Sequence, residues 1–326
     1  MKFDVITIGS SLLDIAFYTN ECKLIKNNDD LLCQKMLAFE YGAKVKVDKI
    51  VNSFGGGAAN AAVSFSRLGL KAGIITSIGD DERGDQIIKN FKEQQVGTQL
   101  VQRQNKTETG YSFLITSSIH SKEHVIFPSR GASSKLQINN KEIQILKSKT
   151  KWIYITSLSG NWKDTLNKIF ETSHSRIAWN IGGEQLKSGI RGLSDYLKRT
   201  FILILNKDEA LELILSSQKY KKLTKAHLSE PENLIKLIKQ LGPSIVLITS
   251  GNKGAHAYDG QKIYYQAPFK EKKKEDTTGV GDAFGSSFVT GLEKFDNNLK
   301  KSLSLAARNT AKVIAQVGAQ NGLIKL

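Results

Sequence analysis

The chain has 326 residues, 40% hydrophobic and 24% charged, which suits a soluble globular protein with a sizeable core and excludes a disordered or low-complexity chain. Its net charge of +16, from 47 Lys and Arg against 31 Asp and Glu, would suit a nucleic-acid partner. The lysines are scattered, however, and the dense runs at 219–225 and 270–274 carry little aromatic interleaving, so a solvated basic surface is the expectation, with a basic nucleic-acid-binding protein as the alternative from another class. No apolar run reaches the roughly 18 residues that cross a membrane, and Asp4 interrupts any leader-like core. Two cysteines, Cys22 and Cys33, are too few for a disulfide framework, so a cytoplasmic enzyme is the expectation.

In chain order, residues 2–8 read as an inner strand left through a small-residue turn that carries Asp14. Ligands of open α/β sheets sit beyond the carboxyl ends of strands, so Asp14 is a candidate ligand group as well as an ordinary turn aspartate. Residues 16–51 mix short apolar runs with polar breaks and predict a β-rich excursion. Gly55, Gly56 and Gly57 then open an alanine-rich helix ending near Gly69, with Asn60 placed to bond a hydroxyl-rich substrate. A strand at 72–78, a helix at 85–95 and a hairpin across 110–127 follow. His120 and His124 are four apart, but they fall in that hairpin and not on a helix, so no metal site is expected there.

From 152 onward strands and helices alternate. Strands are predicted at 152–156, 177–180, 201–205 and 245–249, and helices at 164–171, 208–216, 232–241 and 299–317. This pattern predicts a parallel sheet wound by helices, in one domain with a small β appendage. Asn206 and Glu209 follow one strand end; Thr249, Gly251 and Gly254 follow another.

The stretch at 275–288 stands out. Gly279 and Gly281 form a tight turn opening a helix of small and apolar residues, and the first-turn N–H groups of such a helix suit an anion. Asp282 sits in that first turn. It could serve as a helix cap or as a general base beside a bound phosphate. Other phosphate grips fail. Gly79 and Gly84 have Walker spacing, but Asp85 replaces the lysine; Gly279 and Gly281 lack the third dinucleotide glycine, since Phe284 stands there; and the protein-kinase triplets are missing.

Taken together, the Asp276-to-Phe284 segment, Gly55 to Asn60, Asn206-x-x-Glu209 and Thr249-x-Gly251-x-x-Gly254 make the chain resemble the ribokinase-like, or phosphofructokinase B, carbohydrate kinases over essentially its whole length. The resemblance implies a three-layer α/β/α fold with a mostly parallel sheet and a small β lid, from about 11–20, 36–54 and 100–128. It implies an ATP-dependent kinase acting on a sugar hydroxyl, with a nucleoside as the alternative acceptor. Asp282 would be the base and the backbone of Gly279, Val280 and Gly281 up to Asp282 the anion hole. Asp14, Gly56, Gly57 and Asn60 would bind the acceptor. Asn206, Thr249, Gly251, Gly254, Thr278 and Asn309 would bind the nucleotide. Glu209 and Asn206 would act on magnesium through water, Asp276 and Thr278 would hold a monovalent cation such as potassium, and the lid would pair two subunits. Gly57 stands where ribokinase has lysine, and the segment around Asn180 lacks the arginine of some sugar-acid kinases.

Overall fold

The computed structural model describes residues 2–26, 35–117, 124–147, 150–220, 222–270 and 274–326. His120, Cys33, Lys221 of the first lysine run and residues 271–273 of the second lie outside these. In chain order the strands are β1 (Val5–Ile8), β2 (Leu12–Thr19), β3 (Lys23–Lys26), β4 (Lys35–Ala38), β5 (Lys49–Gly55), β6 (Ala72–Gly79), β7 (Val101–Gln104) and β8 (Thr109–Ser117). They continue as β9 (His124–Gly131), β10 (Trp152–Ile155), β11 (Arg176–Asn180), β12 (Ile202–Asn206), β13 (Ile245–Thr249), β14 (Ala255–Tyr258) and β15 (Ile263–Gln266).

Nine strands form one sheet in the order β15-β14-β13-β12-β11-β10-β1-β6-β7. Seven of them, from β13 to β7, are paired in parallel, and the β13–β14 and β14–β15 pairings are antiparallel. Strands such as Val-Ile-Thr-Ile and Ile-Val-Leu-Ile are buried along nearly their whole length, because helices cover both faces of a parallel sheet. Alternate residues of β10 go to opposite sides. Ile153 and Ile155 join a core with the Trp162–Thr172, Gly189–Arg199 and Pro231–Lys239 helices. Trp152 and Tyr154 pack with the Gly57–Arg67, Val280–Lys294 and Leu299–Ile314 helices. The chain winds from β1 outward to β6 and β7, then returns and builds away from β1 on the other side through β10 to β13. Strand order therefore reverses between β1 and β10, where an open α/β sheet leaves a crevice at its carboxyl edge.

A second, four-stranded sheet, β5-β2-β8-β9, covers that edge. Its central pair, β2 and β8, is parallel and its outer pairs are antiparallel. The lid limits shift accordingly. The expected 100–128 span divides, since β7 pairs with β6 at the edge of the large sheet and only β8 and β9 join the small one. The β3 and β4 strands form a separate two-stranded ribbon. Among the helices that escape the sequence periodicity are Asn140–Leu146 and Gly189–Arg199. The second carries Gly189 and Gly192 in its first turns, and glycine masks the helical signal that Leu193 and Leu197 would give.

Phe288, fully buried in the core shared by Trp152, Tyr154 and the last two helices, is a direct test of that packing. Phe288→Ala should cost about 3–5 kcal/mol, read as a lowered urea midpoint with an unchanged slope.

Candidate active site

Two helices with glycine entrances meet over the sheet crevice. The Val280–Lys294 helix is capped by Gly279 at φ +70, with no side-chain cap, so the capping role open to Asp282 in the sequence is not the one it plays. A Cβ on Gly279 would stand 2.3 Å from that of Ala319, so only glycine fits. Asp282, half-buried at the third helical position, accepts a hydrogen bond from Asn60 Nδ2 at 2.9 Å. Burial pushes its carboxyl up to about 6, and the Asn60 bond opposes that shift. Its N–H, like that of Gly281, belongs to a first turn without i−4 carbonyl partners; Val280 N–H is turned back to Thr277 O at 3.5 Å. Gly281 is exposed, with open space where a Cβ would be.

Asn60 belongs to the Gly57–Arg67 helix. Besides holding Asp282, it accepts from Gln320 Nε2 at 3.1 Å, and Gln320 in turn accepts from Asn90 Nδ2 at 3.0 Å. Asn60 is thus first a positioning group for Asp282, with one amide N–H left for the cleft. Gly56, at φ +95, lies so close to Ser10 that its missing Cβ would meet a backbone oxygen at 2.5 Å. A Cβ on Gly57 would come 3.3 Å from Asp282 Oδ1. Gly55, outside the expected contacts, proves decisive: the Asp14 carboxylate occupies the space its side chain would fill, 2.0 Å from a notional Cβ.

These groups converge. Asp14, Gly56, Gly57, Asn60, Glu209 and Asp282 all line one cleft of about 400 Å³, with Thr278 and Gly279 at its floor and β8 and β9 above. Asp14 is 6% exposed. Burial drives its carboxyl to about 7, opposed by a Ser112 hydrogen bond and reinforced by the charges of Asp282 and Asp276. Glu209 is likewise raised to about 7, chiefly by burial.

A second cleft of about 340 Å³ adjoins the first and is lined by Asn206, Thr249, Gly251 and Lys253, among others. Asn206 and Glu209 form a capping box: Asn206 Oδ1 accepts from Glu209 N at 2.8 Å and Glu209 Oε2 from Asn206 N at 2.8 Å. The box sits at the seam of the two clefts and fixes the direction of Glu209. It also occupies the Asn206 oxygen, leaving Glu209 as the better candidate for magnesium. Among the described residues no cluster of three His, Cys, Asp or Glu side chains could enclose a metal. One carboxylate, with water and phosphate oxygens, suits an ion that keeps its waters.

Three expected site residues act as structure. Asn309 is fully buried, donating to Ser287 Oγ at 2.7 Å and accepting from Ile324 N at 2.9 Å, so it does not reach the nucleotide cleft. Gly254, at φ +84, makes the turn into β14 with its missing Cβ 2.3 Å from Gln266 O. Asp276 clamps the loop, accepting from Thr278 N at 2.9 Å, Thr278 Oγ1 at 2.7 Å and Gly318 N at 2.8 Å. His124 belongs to β9 and its Nδ1 lies 3.3 Å from Thr277 Oγ1, joining the small sheet to the loop. Sequence reasoning also missed Ser112 and Arg130, because only strand pairing brings β8 and β9 over the crevice.

Residues 15–326 match the pfkB family of carbohydrate kinases, and the chain belongs to that family. It is accordingly an ATP-dependent phosphotransferase acting on an alcohol group. It is 25% identical to the ATP-dependent 6-phosphofructokinase of Thermoanaerobacterium thermosaccharolyticum, covering 98% of this chain and 90% of that one. It is 26% identical to the ribokinase of Dictyostelium discoideum, covering 87% and 91% respectively. The structure of Arabidopsis thaliana ribokinase complexed with ribose and ATP superposes with a TM-score of 0.77 at 18% identity, covering 100% of this chain and 96% of that one, a likeness of fold. No helix among the described residues is long and apolar enough to cross a membrane.

Because the Asp14 carboxyl prefers its proton in the folded chain, about 7 against 3.8 ordinarily, ionising it costs the fold and not the unfolded chain. That group's contribution to stability is therefore lost as pH rises from about 4 through 7. Asp14→Asn should melt close to the parent at pH 4 and higher at pH 8, by an amount on the order of a few kcal/mol; equal melting shifts at both pH values would contradict the burial of this charge.

Proposed function

We propose that the protein transfers the terminal phosphoryl group of ATP to a hydroxyl of a sugar or related carbohydrate, with Asp282 as the general base. The supporting observation is the position of Asp282: a half-buried carboxylate raised to about 6, aimed by Asn60, at a helix N-terminus inside the shared cleft. A base with that pKa is charged at neutral pH yet still takes a proton readily.

The acceptor would lie over Asp282, with hydroxyls donated to the Asp14 carboxylate, whose buried charge such bonds would relieve. Asp282 takes the hydroxyl proton as the oxygen attacks the terminal phosphorus; the bond to the β-phosphate oxygen breaks and ADP departs toward the Thr249 and Gly251 cleft. First-turn N–H groups, Gly281 and Asp282 foremost, face the charge that develops on the phosphoryl oxygens. Magnesium, where bound near Glu209, would neutralise phosphate charge. Potassium at Asp276 and Thr278 would share oxygens that already accept three loop hydrogen bonds. Closing the lid excludes water, so that the sugar and not water receives the phosphate. The outer face of the lid, with Phe17 stacked on Phe113 and with Ile50 and Phe127 more than half exposed, supports pairing of two chains there.

Asp282→Asn should lower kcat at least about 10²-fold while ATP still binds, as measured by a coupled ADP assay and by calorimetry. Near-normal turnover in the folded variant would remove Asp282 from the reaction. Activity should fall as pH drops through 7 and then 6, where Asp14, Glu209 and Asp282 take up protons. Below pH 6 the fall should be steeper than one decade per pH unit, since more than one needed carboxylate is lost; a flat profile from pH 5 to 8 would refute that dependence.

A further inference from the structure

Arg130 has no place in the chemistry so far. It lies near the end of β9 on the face turned to the cleft. Pairing of Thr109 with Gly131 and Tyr111 with Ser129 sets Arg130 opposite Gly110, in the row of Pro128 and Ile126. Gly110 offers no side chain there, and a Cβ on it would stand 2.6 Å from the Arg130 carbonyl oxygen. The arginine side chain therefore rises with no cross-strand neighbour. Its backbone is fixed, since Gly131 turns at φ +47 and Ala132 N–H donates to Glu108 O at 2.8 Å.

Arg130 is half-buried and lines the acceptor cleft. Arg83 is paired with Glu108 and Arg103 with Asp85 and Asp80, whereas the Arg130 side chain makes no hydrogen bond or ion pair with any described residue. Among the described residues lining this cleft, Asp14, Glu209 and Asp282 are acidic and Arg130 is the one cation. It offsets none of them, for no arginine figures among the causes that set their pKa values. An unpaired guanidinium at the rim of a closing cleft would lose water without a partner, unless the ligand brings one.

We infer that the acceptor carries an anionic group, a phosphate ester or a carboxylate, and that Arg130 binds it. The inference rests on the kinase reading and narrows it. Guanidinium suits both anions, since its planar fork matches two oxygens at once. Asp14 pairs across β8 with Ser112, and Ser112 with Pro128. Arg130 thus lies two strand spacings of about 4.8 Å and a step of about 7 Å along the strand from Asp14. The length of the arginine side chain narrows that gap to a five- or six-carbon sugar held by its hydroxyls at Asp14 and by an anion at its far end.

The test is a coupled ADP assay with ribose, ribose 5-phosphate, fructose, fructose 6-phosphate and gluconate, on the parent chain, Arg130→Met and Arg130→Lys. The expected result is a kcat/KM at least about 10²-fold higher for an anionic probe than for its neutral counterpart, the scale of one charged hydrogen-bonded contact. Arg130→Met should bring that ratio toward one through a raised KM, and Arg130→Lys should keep part of it. The sugar phosphates and gluconate distinguish the two anions. If a neutral sugar is preferred and Arg130→Met leaves the ratios unmoved, the assignment of Arg130 falls while the kinase stands. If no acceptor of either kind yields ADP, both fall.

Discussion

The hydrogen bond from Asn60 Nδ2 to Asp282 Oδ2, 2.9 Å long and 222 residues apart in sequence, is the contact on which the site depends. It ties the entrances of two glycine-opened helices to one another across the reversal point of the sheet. It also fixes a carboxylate that burial would otherwise push further toward its protonated form. The bond is held from behind by Gln320 and Asn90. Arg67 fastens the C-terminal segment to the same helix by donating to Gln320 O at 2.7 Å and Leu323 O at 3.3 Å. A chain of satisfied buried amides of this kind permits few rotamers, so the Asp282 carboxylate is aimed before any ligand arrives.

Close helix approach makes that bond reachable. Ser286 Oγ lies 2.7 Å from Ser64 Oγ, and Ala58, Ala61, Ala62 and Ala283 are all buried. Small residues on both helices let their backbones draw together so that an asparagine spans the remaining gap. The three raised carboxylates follow from the same compactness. Asp14, Glu209 and Asp282 are brought out of water together, and such a site is best relieved by hydroxyl donors and cations. The protein thus holds stored electrostatic cost where a polyhydroxylated acceptor and a metal–nucleotide complex would remove it.

Much of this was legible from residues alone. The apolar strands after 152 alternate with amphipathic segments at a spacing that only a wound parallel sheet satisfies, and β10 to β13 fall within a residue or so of their expected bounds. The glycine entrances at 55–57 and 279–281 were visible because tight turns have few residue solutions. Less legible were the positions that depend on partners distant in sequence. Asn309, placed with the nucleotide by the family resemblance, satisfies Ser287 and Ile324 in the interior. The Asn206-x-x-Glu209 spacing is that of a capping box, so one oxygen of Glu209 is spent locally. β7 looked like part of the lid because its local pattern cannot say which sheet it joins.

The sequence by itself determined the class of fold, the two glycine-opened helix entrances and the candidate carboxylates, because these depend on local periodicity, on glycine and on residue chemistry. Tertiary structure alone decided that Gly55 makes room for Asp14, that Asn60 serves Asp282, and that β9 swings Arg130 over the cleft. Those outcomes depend on strand register and helix approach, and a contact between residues far apart in the chain leaves no periodic trace in the sequence.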